Sequence, residues 1–136
     1  MREKYGKEVE FVVVYIAEAH AIDSAWPMLN GPLLEEPETL EERIANAGKC
    51  AVGLELKDFL TVVDGIDDKV MRSYQSWPDR LYLVGIDGKI AYKGGKGPFD
   101  FKPEQLDAAI AKELAAIEAA KQADPETADR LIQLFS

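Results

Sequence analysis

The stretch Trp77-Pro-Asp-Arg-Leu-Tyr-Leu-Val-Gly-Ile-Asp-Gly-Lys-Ile-Ala-Tyr-Lys93 decides the fold. Arg80 to Ile86 and Lys89 to Lys93 are rich in aliphatic and aromatic residues, and the Asp87-Gly88 pair between them can supply the positive φ angles of a type I′ turn. The segment therefore predicts a β-hairpin with a two-residue loop. Downstream, Gly94, Gly95, Gly97 and Pro98 read as a loop leading to Pro103, the first residue of a helix that buries Leu106, Ile110, Leu114 and Ile117 at three- and four-residue spacing. Asp124-Pro125-Glu126 then predicts the cap of a last short helix with Leu131, Leu134 and Phe135 apolar.

Upstream of the hairpin, Trp77-Pro78 stops a short helix through Val70, Met71 and Tyr74, which Asp67 or Asp68 is expected to cap. Phe59 to Val63 and Phe11 to Ile16 are charge-free, β-branched runs, the kind expected in a parallel sheet covered on both faces. Between them, Pro27 and Asn30-Gly31-Pro32 mark a loop, and Pro37 suits the first position of a helix carrying Leu40, Ile44 and Ala47 on one face and fading near Gly48. Met1 to Lys7 reads as the last turns of a helix closed by a left-handed Gly6. Helix end, strand, helix, strand, short helix, proline, hairpin and helix is the order of the latter part of a thioredoxin-like fold. The expectation is thus an α/β, thioredoxin-like chain, incomplete at its amino terminus, with a central mixed sheet and flanking helices. A chain of 136 residues fits one domain, 1–136. The proline before the hairpin is expected to be cis at Trp77–Pro78.

A formal net charge of -9 and the absence of a basic stripe argue against nucleic acid and anionic membranes as partners. The acidic run Leu34 to Glu42 reads as a solvated helix face. One cysteine, Cys50, cannot form an internal disulfide and fits a reducing compartment, and no apolar leader is visible, so a cytoplasmic protein is expected. With one histidine and one cysteine, no metal and no other cofactor are expected. Cys50 follows Gly48-Lys49 at a helix end, whereas reactive thiols favour helix amino termini, so it reads as a small, half-buried residue.

In sheets of this kind, ligands and chemistry gather at the carboxyl ends of the strands. Glu18, His20 and Asp23 follow the Phe11–Ile16 run there, and His20 is the only imidazole in the chain. Such a group can exchange protons near neutrality with a thiol or a phenol, although a lone histidine is about as often a hydrogen-bonded loop residue. Trp26, Trp77, Phe99 and Phe101 could face an aromatic ligand, but each read singly fits ordinary packing better.

Tyr15-Ile-Ala-Glu-Ala-His20, followed by Asp23 and Trp26, resembles the strand-end motif of the iodothyronine deiodinase family. Pro78-Asp-Arg-Leu-Tyr-Leu-Val84, followed by Gly88 to Gly94, Gly97-Pro98 and Pro103-Glu104, is similar to that family's hairpin. The resemblance runs from about Val9 to Leu114. It implies a thioredoxin-like redox protein, an oxidoreductase of the reductive dehalogenation or thiol-dependent class. Glu18 and His20 would be its catalytic groups, and Asp23, Trp26, Trp77, Pro78 and Arg80 its substrate-binding ones. The implied partners are an aromatic or halogenated small molecule and a thiol reductant. The family's selenocysteine or cysteine nucleophile belongs upstream of the Tyr15–His20 motif, and a second family histidine falls at Pro37. This chain is therefore expected to lack the nucleophile and to be inactive as it stands; the alternative is a non-catalytic thioredoxin-like binding module. The strand expected between Phe11–Ile16 and Arg80–Ile86 is missing too. That would leave apolar edges which a homodimer could cover near Phe11–Ile16.

Overall fold

The chain opens with α1 (Arg2–Tyr5), a single turn that buries Tyr5. Gly6 follows at φ -66°, in the right-handed region, and donates its N–H to the Arg2 carbonyl at 2.8 Å. The expected left-handed cap is not formed, because the chain continues in the helical sense. Glycine is required there by close approach: a Cβ would lie 2.7 Å from the Arg2 oxygen. The computed structural model describes residues 1–27 and 33–124. Asn30-Gly31-Pro32 and the expected helix with Leu131, Leu134 and Phe135 lie outside the described residues. The chain divides into two compact units, Met1–Pro78 and Asp79–Ser136.

In the first unit, β1 (Val12–Tyr15) pairs in parallel with β2 (Leu60–Val63), in the register Val12 to Leu60 through Tyr15 to Val63. Phe11 and Phe59 enter the two strands edge to face, with ring centroids 6.3 Å apart. These strands are not covered on both faces as expected. Val13, Tyr15, Thr61 and Val63 are half-buried, while Val12, Val14, Leu60 and Val62 form an exposed apolar face. The parallel partner that the charge-free pattern anticipates is present, but the layer that would cover this face is not among the described residues.

The connection between them contains α2 (Leu40–Gly53). It begins three residues later than Pro37, because Thr39 is the better cap. Its hydroxyl accepts the Glu42 N–H at 3.2 Å, and Glu42 Oε2 accepts the Thr39 N–H at 3.1 Å, a reciprocal capping box. The acidic run is thus partly a helix start, not only a solvated face. The helix also passes Gly48, which stands in open space. Its buried face is Arg43, Asn46 and Ala47, whereas the expected apolar positions Leu40 and Ile44 are exposed.

After β2, α3 (Lys69–Tyr74) starts at Asp68, which adopts a left-handed conformation and makes no side-chain cap. The capping carboxylate is Asp64, 3% exposed at the end of β2. It accepts the Gly65 N–H at 2.9 Å, the Val70 N–H at 3.1 Å and the Met71 N–H at 2.8 Å. The cap expected from Asp67 or Asp68 comes from a residue that sequence proximity does not single out. Trp77–Pro78, at the end of this unit, is cis as expected.

The second unit holds the antiparallel hairpin of β3 (Tyr82–Val84) and β4 (Ile90–Lys93), with a register shift at Leu83/Val84. Its loop is not a type I′ turn. Only Gly88 has a positive φ, 75°; its N–H closes on the Gly85 carbonyl at 3.0 Å, and the Gly85 N–H reaches the Lys89 carbonyl at 2.9 Å. Asp87 avoids positive φ because its carboxylate accepts the Lys89 N–H at 3.0 Å, a local bond that closes the turn another way. The strand predicted from Arg80 to Ile86 is accordingly shortened. Gly97–Pro98 is cis as well. The last described helix, α4 (Pro103–Ala123), begins at the predicted proline and buries Leu106 and Ile110, with Leu114 and Ile117 half-buried. The chain is therefore mixed α/β. In place of one central mixed sheet, the described strands form two two-stranded sheets, β1–β2 and β3–β4.

Replacing Asp64 by alanine strands three backbone donors in a buried setting and is expected to cost roughly 3 kcal/mol. Thr39→Ala loses only a solvent-accessible cap, about 1 kcal/mol. Urea unfolding of the two variants should rank them in that order; equal losses would contradict the assignment of Asp64 as the α3 cap.

Candidate functional site

Past Tyr15 the chain leaves β1 and turns, so Glu18, His20, Asp23 and Trp26 gather on one irregular segment. Ala21, 1% exposed, anchors it, and the Ile22 N–H bonds to the Leu34 carbonyl at 2.8 Å. Glu18 is half-buried, and its Oε1 is enclosed with no hydrogen-bond partner. Burial pushes its carboxyl above the ordinary carboxylate value, the charge of Glu36 adds to this, and Arg43 and His20 oppose it. A carboxyl so placed holds a proton more readily than a solvated one.

His20 is exposed, and its Nδ1 lies 2.9 Å from the Trp26 carbonyl oxygen. A carbonyl only accepts, so Nδ1 carries the hydrogen, and in the neutral ring Nε2 keeps its lone pair. The Trp26 ring is 78% exposed; the contribution of this residue here is its carbonyl. Asp23 is exposed and accepts the Glu36 N–H through Oδ1 at 3.0 Å. Trp77 closes the first unit with an exposed ring, next to the half-buried Pro78. Arg80 belongs to the second unit, where it is half-buried with Nε and Nη1 enclosed and unpartnered. Four of the sequence-predicted residues are thus brought together on the turn after β1.

Two residues of this neighbourhood escaped the sequence reading. Glu36 accepts the Glu18 N–H at 3.1 Å, and Arg43, 2% exposed, lies 3.6 Å from Glu36. The guanidinium also donates to the Gly65 carbonyl at 2.6 Å and to Asp68 at 2.8 Å. Arg43 sits three residues after Leu40 and four before Ala47, so its helical phase on the supposed apolar face was the available signal. Beside this cluster lies an open groove of about 570 Å³, lined by Asp23, Glu35, Glu36, Glu42, Asn46 and Lys49 among others. It is polar and acidic, unlike the enclosed apolar pocket typical of aromatic ligands.

Cys50 lies in the last turn of α2. Burial first, and then the charge of Glu18, push its thiol pKa up. That is opposite to the depression which activates a nucleophile. Among the described residues, no helix is long and apolar enough to cross a membrane.

A mixed α/β chain with a carboxyl and an imidazole at a strand end is the class these features define. The family model for iodothyronine deiodinase matches residues 1–114, and the chain belongs to that family. Type I iodothyronine deiodinase of Xenopus laevis is 31% identical over 80% of this chain and 42% of its own length. Type II iodothyronine deiodinase of Petromyzon marinus is 36% identical over 71% of the chain and 33% of its length. Thyroxine 5-deiodinase of Homo sapiens is 30% identical over 76% of the chain and 33% of its length. The chain thus spans between 33% and 42% of the length of these relatives.

The raised proton affinity of Glu18 has a thermodynamic consequence. Below its ordinary value of 4.5 the carboxyl is protonated both folded and unfolded, and contributes nothing. As pH rises through the folded value, the buried charge costs stability. Glu18→Gln should therefore be more stable than the unmodified chain at pH 7, with the difference fading toward pH 4.5. Urea midpoints at the two pH values measure this, and a pH-independent difference would show that the carboxylate is not the cause.

Proposed function

We propose that these residues form the proton-handling and substrate-facing part of a deiodinase-like redox site within one thioredoxin-like domain. The reaction class is reductive dehalogenation or the wider thiol-dependent oxidoreduction. The supporting observation is Glu18, a carboxyl enclosed at the end of β1 and held toward its protonated form, with the His20 imidazole two residues on. Replacing a ring carbon–iodine bond by carbon–hydrogen requires one proton at carbon and two electrons. Thiols that end as a disulfide supply the electrons, and the halogen leaves as iodide. A carboxyl of raised proton affinity and an imidazole with a free Nε2 suit the proton part. Their partners would be a halogenated phenol and a thiol reductant, in the cytoplasm. The proposed substrate-facing residues are Asp23, Trp26, Trp77 and Pro78 in the first unit and, separately, Arg80 in the second.

The electron part needs a thiolate or its selenium equivalent. These 136 residues contain one thiol, and its pKa is raised. As they stand, these 136 residues are proposed not to turn over substrate but still to bind it. Titration with an iodinated phenol should quench tryptophan fluorescence, and Arg80→Ala should weaken binding about tenfold, a loss of roughly 1.4 kcal/mol. Thiol-driven iodide release should be absent. Release that disappears in Cys50→Ser would make Cys50 the nucleophile, and no quenching at any concentration would remove the substrate reading.

Self-association belongs to the same proposal. Val12, Val14, Leu60 and Val62 expose a continuous apolar face on a parallel sheet, and such sheets are ordinarily covered. A second copy would conceal that face by symmetry. Light scattering should report a dimer that Val14→Lys converts to monomer; a monomer at every concentration would refute it.

A further inference from the structure

Glu36 lies on a segment without regular structure, yet it is fastened on all sides. The Leu34 carbonyl holds the Ile22 N–H at 2.8 Å, Asn46 Nδ2 donates to the Glu35 carbonyl at 3.1 Å, and the Glu36 N–H is bound by Asp23 at 3.0 Å. The side chain is fixed at both oxygens. Oε2 accepts the Glu18 N–H at 3.1 Å, and Oε1 lies 3.6 Å from Arg43 Nη2. Arg43 cannot easily turn away, because its Nη1 is bound to the Gly65 carbonyl and to Asp68.

Two carboxyls are thus stationed together with unequal support. Glu36 has a cation and an N–H donor, whereas Glu18 Oε1 is enclosed with neither. When like charges share a site, the proton goes to the less supported member. We infer that Glu36 is a positioning residue of the site: anchored to Arg43 and to the Glu18 N–H, it stands as the anionic neighbour that makes Glu18 the proton carrier. This inference rests on the reading of Glu18 as the site's acid, and it assigns that acid's control to a residue on a different segment.

The charges around each group agree with the assignment. Glu18 is faced by Glu36, Arg43, His20 and Cys50, and of the charged members only Glu36 is an anion. Glu36 is faced by Arg43, Asp68 and Asp23, and the Arg43 charge and the Glu18 N–H both favour its ionised form. Burial raises the proton affinity of Glu36 as well, and Asp68 and Asp23 add to it, but the next largest influences after burial, the Arg43 charge and the Glu18 N–H, oppose it; at Glu18 the next largest influence after burial is the Glu36 anion, which reinforces it.

The test is a carboxyl-carbon NMR titration of the whole protein. Glu36→Gln keeps an oxygen for the Glu18 N–H and removes only the charge, so the Glu18 resonance should titrate at lower pH than in the unmodified protein. Glu38→Gln, which removes the same charge two residues away, should leave it in place. A second readout needs no variant: in the unmodified protein the Glu18 amide nitrogen shift should follow the ionisation of the Glu36 carboxyl. An unmoved Glu18 titration in Glu36→Gln, or an amide shift that ignores Glu36, overturns the inference. Iodinated-phenol binding reports on the functional reading separately, so its absence alongside a Glu36-dependent titration would defeat that reading alone.

Discussion

The first unit is organised around a buried cation. Arg43 is, with Ile110 of the second unit, one of the two largest fully enclosed side chains among the described residues. Removing a guanidinium from water costs several kcal/mol unless its donors and charge are met. Here the Gly65 carbonyl, Asp68 and Glu36 meet it from three parts of the chain, although Nε stays unpartnered. The requirement ties α2 to the turn after β2, to the start of α3 and to the strip that faces Glu18. An aliphatic residue at this position would fill the space without specifying any of those three connections.

One consequence is an exchange of roles among the aspartates. Asp68 stands at the start of α3, where a capping side chain would be expected, but its carboxylate is turned to Arg43. The α3 amides are served instead by Asp64 from the end of β2. A helix of six residues has little intrinsic stability, so an external carboxylate that binds two of its first amides does much to set its direction. The same turn presents the Gly65 carbonyl to Arg43. Strand end, helix start and buried cation therefore form one polar unit.

The surroundings of Glu18 at the end of β1 draw on that unit. Glu18 is partly held away from water with the Glu36 anion acting on it, and together these outweigh the opposing Arg43 and His20 and raise its proton affinity. At Cys50 burial first, and then the charge that Glu18 carries when ionised, push the thiol pKa up. An environment that suits a proton donor is thus unfavourable to a thiolate, and the two roles are best served by different places in a protein. The chain belongs to the deiodinase family and covers only part of the length of its relatives.

Much of this was determined by the sequence alone. The motif from Tyr15 to His20 and the run from Pro78 to Gly94 identify the family, the charge-free β-rich runs and the Asp87-Gly88 turn locate all four described strands, and Pro103 marks the start of α4. These are local properties: periodicity, a ring that fixes φ, and side chains that bond within a few residues. Thr39 and Glu42 were equally local, and their spacing was legible as a capping box, which Pro37 overshadowed. Tertiary structure decided what depends on residues far apart in the chain. It put Arg43 rather than Leu40 and Ile44 on the buried face of α2, made Asp64 the cap of α3, and set Glu36 against the Glu18 amide across 18 positions of sequence. A charged side chain is buried only when partners arrive from elsewhere to satisfy it, and nothing in the order of residues near Arg43 announces that Gly65 and Asp68 will do so.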